Sequence, residues 1–580
     1  MLPNIHKGVS NLNDEVKKEI RKFALQNAFE HEGKTQDKIV LSKILGSKPE
    51  FRNKVNEITE DISEIVSSVN QISLEEQKKE IEENFPDLLK PKEKKEEREG
   101  LPLLEGAIEG KVVTRFPPEP NGYPHIGHAK AAIINIEYAK MYGGKCILRM
   151  DDTNPEAERM EYHAAIKVGL DWLGVKFDII KNTSDDMELF YEKGIELINS
   201  GKAYVCTCKR DTVSKNRKER KSCKCSFRDI KENNQGWGKM FEKFKPGEAI
   251  VRFRGDMKSD NAVMRDPVLF RIIDEKHYTL GEKYRVWPSY DFAVSIEDSN
   301  DGITHAFRSK EFELRKDLIN AILEALSMRK PYQGFFSRLE FKGMPVSKRI
   351  LRPLIEQGKV SWYDDPRLPT LEGLRRRGIK AEAIKKFILS LGLTKANTLA
   401  PFDVLESFNR KFVDANSIRL FMVHKPKKLR IHNLPFSFVE ISNHPIKDMG
   451  KRKIEIDENI LISEDDAKNI KEHTQIRLMG LGNVTITKAN RELEGDFIEG
   501  VETRNIQKIQ WVPQKNSHKI KLLIPNQLFI EDEFNENSLD ELDVYTEPHY
   551  LKLKEGEEIQ FVRFGYCRKD SQNQAIFTHK

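Results

Sequence analysis

The sequence predicts a multidomain α/β protein with a parallel central sheet, helices before it and an all-β region after it. Three patterns lead to this prediction. Between residues 112 and 150, two short apolar runs flank a Pro/Gly-rich turn and a helical stretch, an order typical of a strand, a helix and a second strand. Residues 1–105 have helical spacing, and residues 405–580 hold short runs with period-two alternation. A chain of 580 residues is also too long for one hydrophobic core.

The composition is that of a water-soluble globular protein. It is 38% hydrophobic and 33% charged, and it has no apolar run long enough to cross a bilayer and no signal-like N-terminal segment. We therefore expect a cytoplasmic monomer without membrane attachment. The net charge of +6 is small against 98 basic and 92 acidic residues, so only local basic clusters, and not the total charge, could indicate a nucleic-acid partner.

The sequence of residues 1–105 predicts a small helical appendix. Its apolar residues follow helical spacing, as in Glu15–Leu25, and it ends in a mixed charge run at 90–99 that is typical of a solvated linker. The appendix contains no catalytic constellation.

The turn that follows the first predicted strand is the best candidate for a functional site. It holds His125 and His128 at the start of the next helix, where free backbone N–H groups and the helix dipole favour a phosphate. Asp151 follows the second predicted strand, at the edge where open α/β sheets bind ligands and where a carboxylate can hold an ammonium group. A simpler alternative is that these side chains only cap helices.

Four of the six cysteines form two Cys-x-Cys pairs, and this predicts a structural zinc site. Two close thiol pairs across a short loop suit tetrahedral Zn²⁺, and the neighbouring lysines and arginines are expected to lower the thiol pKa values. Free cysteines remain the alternative, because Cys-x-Cys is less usual than Cys-x-x-Cys. The predicted ligands are Cys206, Cys208, Cys223 and Cys225.

The string His125-Ile-Gly-His128, within the longer string from Arg115, resembles the ATP-binding motif of class I aminoacyl-tRNA synthetases, in particular their glutamyl/glutaminyl branch. Gly343–Arg349 resembles the second, lysine-bearing motif, although the first lysine of the usual motif is missing. The resemblance implies a Rossmann-like catalytic domain in two halves, 106–204 and 286–350. It also implies an acceptor-binding insertion (205–285), a helical connecting domain (351–404) and two anticodon-binding β-barrels (405–580).

The resemblance also implies roles for individual residues. The catalytic residues would be His125, His128 and Lys348. The residues expected at ATP are Pro118, Glu119, Asn121, His125, Gly127, His128, Ser309, Arg338, Leu339, Ser347 and Lys348, with Mg²⁺ on the nucleotide. Those expected at the amino acid are Arg115, Asp151, Tyr290 and Arg308, and those expected at tRNA are Arg375, Arg376 and Arg377, which could instead form a solvated basic helix face.

The implied reaction is ATP-dependent activation of L-glutamate and its transfer to the 3′ end of tRNA(Glu). In this branch, glutamyl enzymes carry an arginine at the position of Arg308 and glutaminyl enzymes a small uncharged residue, so glutamate is favoured and the archaeal glutamyl form is the nearest pattern. A glutaminyl enzyme, or one that also charges tRNA(Gln), stays open. Rivals of other classes are a nucleotidylyltransferase, an enzyme that glutamylates a tRNA base and a non-catalytic tRNA-binding scaffold.

Overall fold

The computed structural model describes residues 14–30, 33–47, 55–88, 101–396, 398–490, 492–500 and 506–580. The chain forms two units, Met1–Glu99 and Gly100–Lys580. The charge run predicted to be a linker, at 90–99, lies outside the described residues. Within the described ranges, no helix is both long and apolar enough to cross a membrane.

The first unit is helical, as expected from its spacing. Apolar residues of its helices, such as Ile20, Ile58 and Ile62, form one buried core. The last helix begins at a capping box in which the Glu76 N–H donates to Ser73 Oγ (3.3 Å) and the Ser73 N–H donates to Glu76 Oε2 (2.8 Å). The helices are α1 (Asp14–Glu30), α2 (Asp37–Ser47), α3 (Val55–Gln71) and α4 (Leu74–Asn84).

The second unit opens with the predicted strand, helix and strand. Three parallel strands pair in the order β1-β2-β3, and buried residues of the following helix, such as Ala129 and Ile133, pack on them. The elements are β1 (Val113–Phe116), α5 (Ile126–Met141), β2 (Lys145–Met150), α6 (Met160–Trp172), β3 (Ile179–Asn182) and α7 (Met187–Asn199).

An antiparallel sheet interrupts the parallel one. Its four strands pair in sequence order around a core that includes Trp237 and Phe270. Its elements are β4 (Ala203–Cys206), α8 (Arg210–Glu219), α9 (Ile230–Glu242), β5 (Ile250–Phe253), β6 (Val268–Ile272) and β7 (Val286–Pro288).

The parallel sheet then resumes on the other side of β1. The Thr304 N–H donates to the Val113 carbonyl (2.9 Å), which sets the next strand beside β1, and that strand pairs in parallel with its successor. The chain therefore winds outward in both directions from this point, and the carboxyl ends of the strands share one edge, where such sheets bind ligands. The elements are α10 (Tyr290–Asn300), β8 (His305–Ser309), α11 (Lys316–Ala325), β9 (Tyr332–Phe336), β10 (Leu339–Phe341) and α12 (Lys348–Glu356).

A mostly helical segment connects the parallel sheet to the β region. Its short strand pairs in parallel with β10, and its helices bury Leu374, Phe387 and Leu405 against the core under α5. The elements are α13 (Leu371–Arg377), α14 (Ala381–Leu391), β11 (Thr398–Ala400) and α15 (Phe402–Val413).

The last part of the chain forms two seven-stranded, barrel-like sheets, and one is inserted into the other. The outer sheet has the order β12-β27-β28-β29-β23-β26-β13 and the inserted sheet the order β21-β18-β19-β20-β14-β17-β22. The elements are β12 (Ile418–Leu420), β13 (Met422–His424), β14 (Pro426–His432), β15 (Phe438–Ser442), β16 (Lys451–Glu455), β17 (Asn459–Ser463), α16 (Glu464–Ala467), β18 (Gln475–Leu478), β19 (Gly482–Ala489), β20 (Leu493–Ile498), β21 (Gln507–Ile509), β22 (Trp511–Pro513), β23 (His518–Pro525), β24 (Phe529–Ile530), β25 (Glu533–Phe534), β26 (Leu539–Thr546), β27 (Glu558–Phe561), β28 (Gly565–Ser571) and β29 (Gln574–His579).

Candidate active site

A cavity of about 510 Å³ lies at the carboxyl edge of the parallel sheet, where β1, β2, β8 and β9 end. Its volume is within the range that takes a small-molecule ligand. Most of the residues expected at ATP and at the amino acid line it. These are Pro118, Glu119, His125, Gly127, His128, Ser309, Arg338 and Leu339 from the first set, and Asp151, Tyr290 and Arg308 from the second.

The two histidines cap the helix that begins beneath them. His125 is the N-cap of α5, and its Nδ1 accepts from the Gly127 N–H (3.1 Å), while His128 Nδ1 accepts from the His125 N–H (3.2 Å). Because each Nδ1 is an acceptor, each neutral ring carries its proton on Nε2. The Nδ1 atoms therefore do cap the helix, as the simpler alternative expected, and the Nε2–H of each ring remains available as a donor.

Both histidines are uncharged near neutral pH. Burial lowers the pKa of His128 to about 4, and burial together with the charges of His128 and Arg338 lowers the pKa of His125 well below its usual value. Each ring therefore offers a neutral N–H and not an imidazolium charge.

Gly127 permits this arrangement. A Cβ on Gly127 would lie 2.9 Å from His125 Cε1 and 3.0 Å from its Nδ1. Any side chain at this position would push the His125 ring away from the start of the helix.

Asp151 supplies a carboxylate at the end of β2, beside those of Glu119, Glu311 and Glu340 in the cavity lining. Its N–H donates to the Pro118 carbonyl (2.9 Å), which joins the ends of β1 and β2. Burial raises the pKa of Asp151 to about 7, against the opposing charge of Arg149. A cationic ligand group beside Asp151 would therefore lower this pKa and favour the ionised carboxylate.

Three arginines from neighbouring strands meet at one buried carboxylate. Asp298 in α10 accepts from Arg115 of β1 (Nε–Oδ1 2.8 Å), Arg149 of β2 (Nη2–Oδ1 2.8 Å) and Arg308 of β8 (Nη2–Oδ2 2.6 Å). Burial alone would raise the pKa of Asp298, but the three guanidinium charges outweigh it and hold the pKa below its usual range. Arg149 also pairs with Asp301 (2.7 Å).

Arg115 and three residues of the ATP set are not among those that line the cavity. Arg115 is fully buried and donates to Asp298 and to the Phe307 carbonyl (2.9 Å), so it lies behind Arg308. The direct contact with the amino acid that was expected of Arg115 is therefore not supported by its position outside the cavity lining. Lys348 begins α12 after Ser347, and its Nζ donates to the Asn121 carbonyl (2.5 Å) and lies 5.0 Å from the centre of the Tyr162 ring. The two motifs therefore meet through Lys348 and Asn121, outside the cavity.

Lys130 is a cavity residue that the sequence analysis did not identify. It is 1% exposed, its Nζ donates to the Ser337 carbonyl (2.7 Å) and Oγ (3.0 Å), and burial lowers its pKa to about 8. It lies five residues after His125 and therefore one turn into α5. A lysine in an otherwise apolar stretch of α5 was a usable sign of a functional position, because a buried cation requires a polar partner.

The structure separates the three arginines expected at tRNA. Arg375 is exposed, whereas Arg376 pairs with Asp570 (2.8 Å) and Arg377 is buried against Glu406 (2.9 Å). Only Arg375 keeps the exposure that a phosphate contact requires, because the other two are used in packing α13 against its neighbours.

The four cysteines come together as predicted. Cys206 Sγ lies 3.8 Å from Cys223 Sγ, Cys208 Sγ lies 3.8 Å from Cys225 Sγ, and all four sulfur atoms lie within 4.8 Å of one another. Four thiolates at about 2.3 Å from a tetrahedral Zn²⁺ would be about 3.8 Å apart, so the donor set fits this metal.

The charges around the cysteines differ from the expected ones. Burial raises the pKa of Cys206 and of Cys208, while hydrogen bonds of Cys225 and the Arg228 charge outweigh burial and lower its pKa. A buried cation, Arg252, lies 3.8 Å from Cys223 Sγ and has no ion-pair partner among the described residues. A negatively charged metal–thiolate centre would neutralise it.

Comparisons with known proteins agree with this geometry. Residues 111–415 match the family "tRNA synthetases class I (E and Q), catalytic domain", and residues 417–506 and 508–570 match two families described as the anti-codon binding domain of the same enzymes. Glutamate–tRNA ligase of Nitrosopumilus maritimus is 77% identical over 98% of this chain and 100% of its own length. The corresponding protein of Cenarchaeum symbiosum is 58% identical (97% and 99%), and that of Pyrococcus furiosus 40% identical (98% and 100%). The chain therefore belongs to the glutamyl and glutaminyl family of class I tRNA synthetases.

Proposed function

We propose that the chain attaches L-glutamate to the 3′ end of tRNA(Glu) in two steps, with ATP as the source of energy. The observation that carries the choice of glutamate is the charge at the wall of the cavity. Arg115 and Arg308 share one carboxylate, Asp298, and neither has another within ion-pair distance among the described residues. Arg149 binds the same carboxylate, so three cations share Asp298, and of the three only Arg149 has further carboxylate partners in the described part of the chain, Glu297 and Asp301. A substrate side-chain carboxylate would give Arg308 an ionic partner of its own, whereas an amide would not.

In the first step, an oxygen of the glutamate α-carboxylate attacks the α-phosphorus of ATP. An O–P bond forms, the bond to the β-phosphate oxygen breaks, and pyrophosphate leaves. No protein nucleophile is needed, so positioning and charge stabilisation account for catalysis. The neutral Nε2–H groups of His125 and His128 donate to phosphate oxygens, and Mg²⁺ on the nucleotide supplies further charge neutralisation.

Asp151 and Tyr290 hold the amino-acid end of the substrate, and Lys348 adds a positive charge at the phosphates. Because Lys348 is bound to the Asn121 carbonyl outside the cavity, its Nζ has to leave this partner to reach them. The loop that carries it, Gly343–Ser347, is then the part of the site that moves between substrate binding and reaction.

In the second step, a hydroxyl of the terminal ribose of tRNA attacks the carbonyl carbon of the adenylate. An ester forms and AMP leaves. The antiparallel insertion receives the acceptor end, and a groove in it is lined by Arg210, Arg217, Lys218, Arg265 and Arg271, with no carboxylate among its described lining residues. The two β-sheets read the anticodon, and Arg375 contacts the phosphate backbone.

The decisive experiment is ATP–pyrophosphate exchange with glutamate and with glutamine, each with and without purified tRNA(Glu) and tRNA(Gln). Glutamine would leave the cavity-facing N–H groups of Arg308 without a carboxylate, at a cost on the order of 3–5 kcal/mol. We therefore expect glutamate to be used at least about a hundredfold better. Equal use of glutamine would contradict the assignment, and charging of tRNA(Gln) with glutamate would identify an enzyme that accepts both tRNAs.

The insertion also holds one structural Zn²⁺ in this proposal. The sulfur–sulfur distances and the buried, unpaired Arg252 charge support it. The metal ties β4 to the loop at Cys223 and Cys225 and takes no part in the reaction.

A further inference from the structure

We propose that Asp298 is a positioning residue for substrate selection, which fixes the Arg308 guanidinium in the orientation that reads the glutamate side-chain carboxylate. The inference rests on the proposed use of glutamate and adds to it a residue that does not line the cavity.

The geometry around Arg308 leaves its guanidinium little freedom. Nη2 donates to Asp298 Oδ2 (2.6 Å) and Nη1 donates to Gln333 Oε1 (3.4 Å), while Gln333 Nε2 donates in turn to Asn320 Oδ1 (3.0 Å). Arg308 is 4% exposed and Asp298 0%. A planar guanidinium held at two corners presents its other N–H groups in fixed directions, as recognition of a carboxylate requires.

Asp298 is itself held from the other side. Arg115 binds both of its oxygens (Nε–Oδ1 2.8 Å and Nη2–Oδ2 3.2 Å), and Arg149 binds Oδ1 (2.8 Å). The carboxylate therefore cannot rotate to follow Arg308. We conclude that the position of Arg308 is set by the strands β1 and β2 through Asp298.

Two roles for Asp298 make opposite predictions. If Asp298 only neutralised Arg308, it would compete with the substrate carboxylate, and its loss would lower the KM for glutamate. If it orients Arg308, its loss raises that KM and weakens discrimination against glutamine, while the KM for ATP stays the same.

The test is Asp298→Asn, which keeps the size of the side chain and removes its charge. We expect the preference for glutamate over glutamine, as a ratio of kcat/KM values, to fall by a factor on the order of ten to a hundred, with the KM for ATP changed by less than about twofold. The matched control is Asp301→Asn, because Asp301 pairs with Arg149 and Lys181 but not with Arg308. It should leave the preference as it is in the unchanged enzyme.

The double variant Asp298→Asn with Arg308→Gln separates this inference from the proposed function. If Asp298 acts through Arg308, the double variant has the same preference as Arg308→Gln alone. A glutamate-selective enzyme in which Arg308→Gln abolishes the preference and Asp298→Asn does not would overturn the inference alone. An unchanged enzyme without any preference would overturn the proposed function.

A second variant covers a failure of Asp298→Asn to fold. Asp298→Asn with Arg149→Gln removes one buried charge of each sign and is compared with Arg149→Gln alone. Loss of preference only in the former supports the positioning role, and equal preference in the two contradicts it.

Discussion

At the scale of single residues, the pKa of Asp151 links substrate binding to pH. The group binds a proton more tightly in the folded enzyme than in the unfolded chain, since burial raises its pKa from the usual range to about 7. Its charged form, which we propose binds the substrate ammonium group, is present above that value and is lost as the pH falls through it.

We expect kcat/KM for glutamate to be nearly constant above about pH 7.5 and to fall by about tenfold for each pH unit below 7. The check is a pH profile of adenylate formation at low glutamate concentration. His128→Asn is the control, because His128 is already neutral over this range. Its rate should be lower but its profile should have the same midpoint. If the midpoint of the profile shifted in His128→Asn, the titrating group would be His128 and the assignment to Asp151 would be wrong.

The contact partners of these residues could be predicted only in part. The histidines and Asp151 follow predicted strands, and strand ends converge in a parallel sheet, so their meeting in one cavity was expected. The common counter-ion of Arg115 and Arg149, which lie in buried strands, was not predicted. An arginine in each of three buried strands was a usable signal, because a buried cation requires a partner. The partner, Asp298, lies 149 residues or more from two of them and could not be found by spacing.

At the scale of elements, the cysteine cluster joins β4 to the short turn at Cys223–Cys225. The spacing correctly indicated that the four cysteines lie together, but not their electrostatic surroundings, because Arg252 comes from β5, a strand that meets β4 only in the folded sheet. Neighbours in sequence, such as Lys209, are therefore a poor guide to the charge felt by a buried thiol.

We expect about one equivalent of zinc in protein purified without added metal, and a large loss of it in Cys208→Ala. Elemental analysis of the two proteins provides the measurement. Cys567→Ala is the matched control, since Cys567 is a buried cysteine in β28 and belongs to no such cluster among the residues that the structure describes. Full zinc content in Cys208→Ala, or none in the unchanged protein, would count against the site.

Helix α13 carries an exposed arginine, Arg375, and a buried one, Arg377, whose substitutions should have different effects. Arg375→Ala should raise the KM for tRNA, reduce the dependence of tRNA binding on salt by about one phosphate contact and leave the melting temperature unchanged, because the side chain is exposed. Binding titrations at several salt concentrations give the slope. An unchanged slope would show that Arg375 faces only solvent.

Arg377→Ala should instead lower stability, on the order of 3 kcal/mol, because Glu406 would lose its partner in a largely buried place. Thermal unfolding followed by circular dichroism is the measurement, and Arg375→Ala serves as the control. Equal melting temperatures for the two variants would show that the Arg377–Glu406 pair contributes little.

At the scale of the whole molecule, the outer β-sheet is attached to the helical segment that follows the parallel sheet. Arg376 pairs with Asp570 of β28, and Thr578 of β29 donates to the Arg377 carbonyl (2.7 Å). Removal of the entire β region would therefore expose a buried face of α13. A point variant at this contact is a better test of the anticodon-binding role than a truncated protein.

We expect Asp570→Asn to raise the KM for tRNA by about three- to tenfold without a change in the KM for ATP. A tRNA that binds two parts of one protein loses affinity when their relative placement becomes looser. Steady-state aminoacylation is the measurement, and a double-mutant cycle with Arg376→Gln shows whether the effect belongs to this pair. If the effects of Asp570→Asn and Arg376→Gln on the KM for tRNA simply added in the double variant, this ion pair would not set the placement of the β region.

The nested arrangement of the two β-sheets has a consequence for synthesis on the ribosome. The strands β12 and β13 are made before the inserted sheet, but the rest of their own sheet, β23 and β26 to β29, is made after it. Because β13 pairs with β26 and β12 with β27, their edges stay unpaired while roughly 115–140 further residues are made, on the order of 6–28 seconds at ordinary elongation rates. The inserted sheet can close during this time, so the nascent chain would complete its β region from the inside outward, and β29, a strand with neighbours on both sides, would close it last.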